Sequence, residues 1–252
     1  MKRTPRLLVA LLLLGAASAA HATPSTVVWA PSTTYTQPFL VPHLTYDTYF
    51  RNDASYPTTV GLTLGLLPSD LVQAEAGFDL QYPADDPLFL NGKVTLLEDK
   101  LFAYQPALSL GVANAGITSA TNYAMVYGVL SKTIPGVGAT LAAGVGYGID
   151  DELWVDENGE ADQTMFIGSL TSPVIGIGKP WLDGLAFAAD VQTGSNSFSA
   201  AGAAAVLYVT PSVALLTGPV FFLNRDTQPG RSDFMWTMQV DVDVPSLLSM
   251  TR

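Results

Sequence analysis

The chain has 252 residues, of which 48% are hydrophobic and 13% are charged, and its formal net charge is −11. This acidic balance argues against a nucleic-acid partner, because phosphate binding requires a basic surface. The chain has no cysteine, which excludes disulfide bonds and thiolate metal sites.

The first 22 residues have the pattern of a secretory signal peptide. Three basic residues precede an apolar run, 7–14, and a small-residue stretch ends in Ala20-His21-Ala22, an A-x-A cleavage site. The apolar run is too short to span about 30 Å of hydrocarbon, which argues against a retained anchor. We predict cleavage after Ala22, which removes the three positive charges and leaves a net charge of −14.

The mature chain combines high hydrophobicity with few charges. A soluble exported domain of this size would carry about a quarter charged residues. Past residue 22, however, no apolar stretch reaches the roughly 18 residues of a helical span. Strands that face lipid on one side explain both features. The sequence therefore predicts an all-β fold, a single antiparallel transmembrane β-barrel of about twelve strands.

In chain order, residues 23–38 combine three prolines with Ser and Thr and predict an irregular periplasmic leader. The barrel is predicted over 39–244, and 245–252 form a short C-terminal tail. Within the barrel, segments of about ten residues alternate with turn clusters rich in Gly, Pro, Asp and Asn. Twelve such segments are predicted as strands: 39–51, 57–67, 71–82, 88–98, 105–116, 121–132, 138–149, 164–175, 184–194, 199–210, 213–224 and 233–244.

Period-2 alternation is the main argument for strands. In 71–82, apolar residues from Val72 to Tyr82 alternate with polar or small residues from Gln73 to Gln81, so the strand has one apolar and one polar face. A soluble β-sandwich would show the same alternation. Scarce charge in the turns and aromatic residues near strand ends, as in interfacial girdles, favour a membrane barrel. These aromatics are Tyr49, Phe50, Tyr82, Phe89, Tyr123, Tyr147 and Trp236.

Two segments weaken the strand count. Residues 199–209 are rich in alanine and have the propensity of a short helix. In 213–224, Pro219 removes a ladder hydrogen bond. Ten strands are therefore the alternative count. With a periplasmic N-terminus, the longer connections, among them 150–163 and 225–232, fall on the outer side and short turns on the inner side, as in outer-membrane barrels.

The longest connection holds an acidic loop with seven carboxylates in residues 150–162. Clustered oxygen ligands around a glycine turn are able to bind a divalent ion, and such an ion could bridge lipopolysaccharide phosphates. The spacing does not match an EF-hand, and a solvated hairpin tip that repels self-association is the favoured interpretation. The weak candidates for metal ligands are Asp156, Glu157, Glu160 and Asp162.

A second set of charged residues lies on the polar faces of the predicted strands. In a barrel these side chains point into the lumen, where acidic residues favour cations. The alternative is that they pair with Lys93, Arg51 and lumenal hydroxyls and plug the interior. First and last strands are neighbours in a closed barrel, which predicts one shared region of wall for Asp47, Asp241 and Asp243. The lumen-facing candidates are Asp47, Glu75, Asp79, Lys93, Asp190, Asp241 and Asp243.

His43 is the one histidine of the predicted mature chain. Lipid hydrolases use a Ser-His pair oriented by a third polar group, but neither an H-x-S nor a G-x-S-x-G motif accompanies His43. A lumenal or leader-contacting histidine is therefore the favoured interpretation, and no catalytic residue is predicted.

Gly144, Gly146 and Gly148 share one strand face. They either leave room in the lumen, relieve curvature or accept a large side chain from the opposite wall.

The signal peptide, the alternating strand 71–82 and the aromatic-rich last strand 234–244 resemble outer-membrane porin-like proteins of Gram-negative bacteria. The resemblance covers 39–244 at the level of pattern and carries over no catalytic residue. Barrels of this kind usually end in an aromatic residue, whereas this chain ends Ser249-Met250-Thr251-Arg252. The resemblance implies an outer-membrane location.

We therefore predict a small passive pore or transporter for small solutes, with a preference for cations. The alternatives are a structural or adhesion barrel with a closed lumen and a lipid-modifying enzyme centred on His43. The predicted partners are outer-membrane lipid and lipopolysaccharide, the outer-membrane assembly machinery and the solutes. No cofactor and no nucleic acid is expected.

Overall fold

A computed structural model describes residues 26–51 and 58–244. The predicted signal peptide 1–22 and tail 245–252 lie outside the described residues. Two single-turn 3-10 helices, Arg225–Thr227 and Pro229–Arg231, precede the last strand. The described strands are β1 Pro42–Phe50, β2 Thr58–Gly65, β3 Val72–Tyr82, β4 Leu88–Leu96, β5 Ala107–Gly116, β6 Met125–Thr133, β7 Thr140–Gly148, β8 Thr164–Thr171, β9 Ile175–Lys179, β10 Leu182–Gln192, β11 Ala200–Thr210, β12 Val213–Phe222 and β13 Phe234–Asp243.

The thirteen described strands fill twelve positions in one sheet. β10 pairs with β8 through residues 188–192 and with β9 through residues 182–185, along the same edge. β8 and β9 are therefore two parts of one strand position, interrupted around Pro173. Proline has no N–H to give to a ladder. Beside it, the Ser172 hydroxyl accepts a hydrogen bond of 2.8 Å from the Phe187 N–H.

The sheet closes into an antiparallel barrel. β1 pairs with β13 from His43 opposite Asp243 to Phe50 opposite Trp236, and β10 pairs with β11 across the interruption. This confirms the predicted barrel of twelve strands over the alternative of ten. The alanine-rich segment forms β11, and Pro219 lies inside β12 opposite Trp236.

The outward side chains form an apolar surface. In β1, Leu44, Tyr46 and Phe50 are 42–46% exposed, although they are large and hydrophobic. The same holds for outward positions around the barrel, and an apolar band of this extent is typical of a surface that faces lipid. Within the described part of the chain, no helix is long and apolar enough to cross a bilayer. Exposed outward residues on other strands include Val60, Leu80, Leu90, Leu110, Leu130, Leu141, Phe166, Leu170, Phe187 and Phe221.

The aromatic residues near strand ends divide into two groups. Exposed, outward positions are held by Phe50, Tyr82, Tyr147 and Trp236. The girdle interpretation was wrong for the other three. Tyr49 lines the lumen, Phe89 is buried, and Tyr123 packs on Phe198 with ring centroids 5.2 Å apart. The face that a strand residue occupies depends on its odd or even position, and closeness to the strand end does not decide it.

The inward face has two chemically different regions. The inward positions of β1–β4, called here the polar half, carry hydroxyl, amide and charged side chains, including Thr45, Asp47, Glu75 and Lys93. The inward positions of β10–β12, called the apolar half, are mostly small or aliphatic. Its buried members include Ala186, Ala188, Ala200, Ala204, Val206, Ala214, Leu216 and Val220.

The N-terminal segment 26–38 lies inside the barrel. Val27, Val28 and Ala30 are buried in the two apolar clusters of the interior, and Phe39 bridges to Gly65 just before β1 begins. The sequence predicts residues 23–38 as an irregular periplasmic leader. The described residues 26–38 are irregular, but they occupy the lumen, because their apolar side chains pack on the apolar half and their backbone N–H groups find acceptors there.

Candidate functional site: the lumen and its N-terminal segment

Asp190 of β10 holds the N-terminal segment against the wall. Its Oδ2 atom accepts hydrogen bonds from the backbone N–H groups of Val28, Trp29 and Ala30, each 2.8 Å long. These are charge-assisted bonds, which are stronger than neutral ones. Asp190 is 5% exposed. A buried carboxylate on an otherwise apolar wall is stabilised by this set of backbone donors.

Further hydrogen bonds anchor the segment along its length. The Gln239 side-chain amide donates to the Val28 carbonyl (2.8 Å). The Ser169 hydroxyl donates to the Ser32 carbonyl (2.6 Å). Toward the start of β1, the Gln37 N–H donates to Glu75 Oε2 (2.7 Å). Anchors therefore come from β3, β8, β10 and β13, so the segment is fixed to both halves of the lumen.

Glycines on the wall make room for the segment and for large inward side chains. A Cβ at Gly202 would lie 2.7 Å from Val28 Cγ1, so the glycine allows Val28 to reach the wall. On β7, a Cβ at Gly146 would lie 2.7 Å from the Met125 sulfur, and one at Gly148 would overlap the Trp154 ring. Gly146 and Gly148 therefore accommodate large side chains, but these come from the neighbouring strand β6 and the acidic loop and not from the opposite wall.

Loops cover one end of the barrel, called here the loop end and formed by 149–163, 193–199 and 223–233. Trp154 of the acidic loop is fully buried in the interior, with its ring 4.8 Å from that of Phe198. Asn224 joins the three loops by donating to Glu157 Oε2 and to the Ser195 carbonyl, both at 2.6 Å. The acidic loop thus folds over the lumen.

Three of the four candidate metal ligands of this loop accept hydrogen bonds from the loop itself or from a neighbouring loop. Asp156 Oδ1 accepts hydrogen bonds from the N–H groups of Glu160 and Asn158, and these bonds lower the pKa of the Asp156 carboxyl. Asp162 accepts from the Ser195 N–H and the Asn196 side chain, and Glu157 accepts from Asn224. Among the described residues, no three His, Asp or Glu side chains are grouped so that they could hold a metal ion.

A cavity of about 290 Å³ remains between the segment and the polar half. Its charged lining consists of four carboxylates and two cations, so negative charge is in excess. Aromatic rings of Trp29, Tyr49 and Phe222 also line it. The charged residues are Asp47, Glu75, Asp79 and Asp241, with Arg51 and Lys93.

The seven predicted lumenal residues are placed as follows. Glu75 and Lys93 are buried and form an ion pair of 3.3 Å. Asp190 binds the N-terminal segment, and Asp79 accepts a hydrogen bond from Asn91. Asp47 lies on β1 opposite Gln239 of β13, two positions along from the pairing of Thr45 with Asp241. Asp241 and Asp243 both contact His43, and Asp47 and Asp241 line the same cavity.

His43 is fully buried between these two carboxylates. Its Nδ1 lies 2.7 Å from Asp243 Oδ1 and its Nε2 lies 3.2 Å from Asp241 Oδ1. Both ring nitrogens are thus engaged by carboxylates. The histidine joins β1 to β13 at the seam where the first and last strands meet.

The segment 26–38 was not predicted as part of the site. Its signal is the run Val27-Val28-Trp29-Ala30, an apolar stretch inside a leader otherwise rich in Pro, Ser and Thr. An apolar run of this kind predicts burial. Trp154 was not predicted as part of the site either. A tryptophan within an acidic loop indicates a buried anchor more readily than a fully solvated tip.

The fold and the lumen define the class of the chain as a closed antiparallel barrel with an apolar outer surface and a polar cavity. No protein-family model and no curated protein sequence matches it. Among solved structures, the NanC porin is similar with a TM-score of 0.51 at 13% identity, covering 79% of this chain and 98% of that one. The COG4313 outer membrane channel from Pseudomonas putida F1 has a TM-score of 0.49 at 12% identity, over 85% and 99%. The likeness to NanC confirms the porin-like barrel fold.

Proposed function

We propose that the protein is an outer-membrane channel for small solutes, that it prefers cations, and that its N-terminal segment 26–38 narrows the passage. The observation that carries the proposal is an apolar outer surface around a lumen that retains a charged cavity. A barrel that served only as a scaffold would not require buried charges, which are costly unless paired. The fold that it shares with a porin supports the same role.

The cation preference is inferred from the charges that face the cavity. Carboxylates outnumber cations in its lining. Of the two cations, Lys93 is paired with Glu75, and Arg51 donates to the Pro229 carbonyl at the loop end. Rings of acidic side chains favour the passage of cations. Location in the outer membrane, contact with its lipid and lipopolysaccharide, and delivery by its assembly machinery belong to the same proposal.

A closed structural barrel is the second candidate, because the segment 26–38 fills much of the interior. Purified mature protein in planar bilayers distinguishes the two. We expect discrete conductance steps, with a reversal potential shifted toward the cation equilibrium potential in a KCl gradient. Absence of conductance, together with no solute uptake in liposomes, would favour the closed barrel. A reversal potential of the opposite sign would overturn the cation preference alone.

A further inference from the structure

We propose that the lumenal cavity contains a binding site for a small organic ammonium ion, formed by Asp47, Asp79 and Asp241. The proposal rests on the proposed channel function and specifies the chemical class of its solute. The three carboxylates come from β1, β3 and β13. In the sheet, β13 is next to β1, and β2 lies between β1 and β3. All three line the cavity of about 290 Å³.

The strand register places these side chains at neighbouring positions of one wall, around a glycine. Asp241 is opposite Thr45, Thr45 is opposite Gly61, and Gly61 is opposite Asp79. A Cβ at Gly61 would collide with Asp79 Oδ1 and with Thr45 Oγ1, so both oxygens lean over the glycine. Asp47 is two residues along β1 from Thr45 and therefore points to the same face. Gly61 thus leaves a recess in the wall that the Asp79 and Thr45 oxygen atoms enter.

One carboxylate oxygen in this recess lacks a partner. Asp241 is 1% exposed, and its Oδ1 atom contacts His43 Nε2 at 3.2 Å. Its Oδ2 atom is buried and has no hydrogen-bond partner within the described chain. A buried acceptor without a donor is unfavourable. A ligand that carries N–H donors would supply the missing hydrogen bond to this oxygen. This observation is independent of the excess of acidic residues.

The chemistry of the recess fits an organic ammonium better than a metal ion. The described residues contain no three acidic or histidine side chains grouped to hold a metal. An ammonium group has three donors, which suits carboxylates and a threonine hydroxyl. The aromatic rings of Trp29 and Tyr49 line the same cavity, and aromatic faces attract organic cations. Phe222 also lines it, but the Arg51 guanidinium already lies over its ring, 5.6 Å from the centroid. The volume is near the lower limit for small-molecule pockets, about 300 Å³, which limits the ligand to a few carbon atoms.

Titration calorimetry of the full mature protein in detergent tests the site, with putrescine as the probe. We expect saturable binding by the wild type and a loss of at least about tenfold in affinity in Asp241→Asn and in Asp47→Asn, because each removes a charged acceptor. Gly61→Val would displace the Asp79 and Thr45 oxygens from the recess without changing charge and should also weaken binding. Asp70→Asn neutralises an exposed carboxylate in the β2–β3 turn and should bind as the wild type does.

Conductance recorded on the same protein separates the two proposals. Binding without conductance would retain the site and overturn the channel. Conductance without putrescine binding, or equal affinity in Asp47→Asn, Gly61→Val and the wild type, would overturn the site and leave the channel. Binding of CaCl₂ that depends on Asp47 and excludes putrescine would show a metal site and would also overturn the proposal.

Discussion

The two halves of the lumen wall stabilise the same structure by different means. The polar half pairs its groups within the wall, as in the buried ion pair of Glu75 and Lys93. The apolar half uses small residues and a single carboxylate, Asp190, and it becomes complete only when the segment 26–38 packs on it. The difference teaches that the polar half binds only the end of the segment next to β1 and keeps a cavity, whereas the apolar half is covered by the segment.

The largest expected effect follows from removal of that segment. Deletion of residues 26–36 should increase single-channel conductance severalfold, because it empties the lumen beside the apolar half. The measurement is single-channel recording in planar bilayers. Asp190→Ala is the companion variant, because it removes an acceptor of three backbone N–H groups, each worth about 1.5–3 kcal/mol when the acceptor is charged.

Asp190→Ala should produce noisier and larger currents while the barrel still shifts on a denaturing gel after heating. Asp233→Ala, at an exposed carboxylate of the loop end, is the matched control and should behave as the wild type does. Unchanged conductance in both the deletion and Asp190→Ala would contradict the idea that the segment narrows the passage.

The next largest effect concerns the buried ion pair of the polar half. Lys93→Met leaves Glu75 buried without its cation and should lower the free energy of unfolding by about 3–5 kcal/mol. Adding Glu75→Gln should recover most of that loss, because a neutral pair avoids an unpaired buried charge. The free energy of unfolding is measured by urea titration in micelles. If the double variant were no more stable than Lys93→Met, the ion pair would not be the reason for the loss.

The smallest effect concerns the fit between the apolar half and the segment. Gly202→Val should cost about 1–3 kcal/mol of stability, because its side chain would overlap Val28 and Asp190 Oδ1. Ala203→Val, one residue along on the exposed outward face of β11, is the matched control and should cost little. The two variants are compared by urea unfolding and by proteolysis of the N-terminal segment. Equal stability and equal protection would show that Val28 does not depend on Gly202.

Local sequence patterns predicted the strands because strand faces follow a period of two, whatever the strand pairs with. Twelve segments corresponded to the twelve strand positions, including the alanine-rich β11. The seam between β1 and β13 could also be anticipated, because closure makes the first and last strands neighbours. The interruption around Pro173 was missed, since the proline is flanked by two segments that each pair with the same strand, β10.

The lumen contents were harder to predict because their contacts join distant parts of the chain. Asp190 was recognised as an inward carboxylate, but its donors, the N–H groups of Val28 to Ala30, lie at least 160 residues away. Backbone N–H groups carry no sequence signal that marks them as partners. Trp154 likewise lies in a loop whose acidic composition predicted a solvated tip.

By itself, the sequence determined the predicted export signal, the all-β class, the number of strands and which side chains share a face, because these depend on composition and on neighbours along the chain. The tertiary structure decided where the N-terminal segment lies, which carboxylates are paired and where a cavity remains. Those outcomes depend on closure of the barrel, which brings β1, β3, β10 and β13 around one interior. The charged, partly filled lumen on which the proposed function rests is therefore a property of the closed barrel.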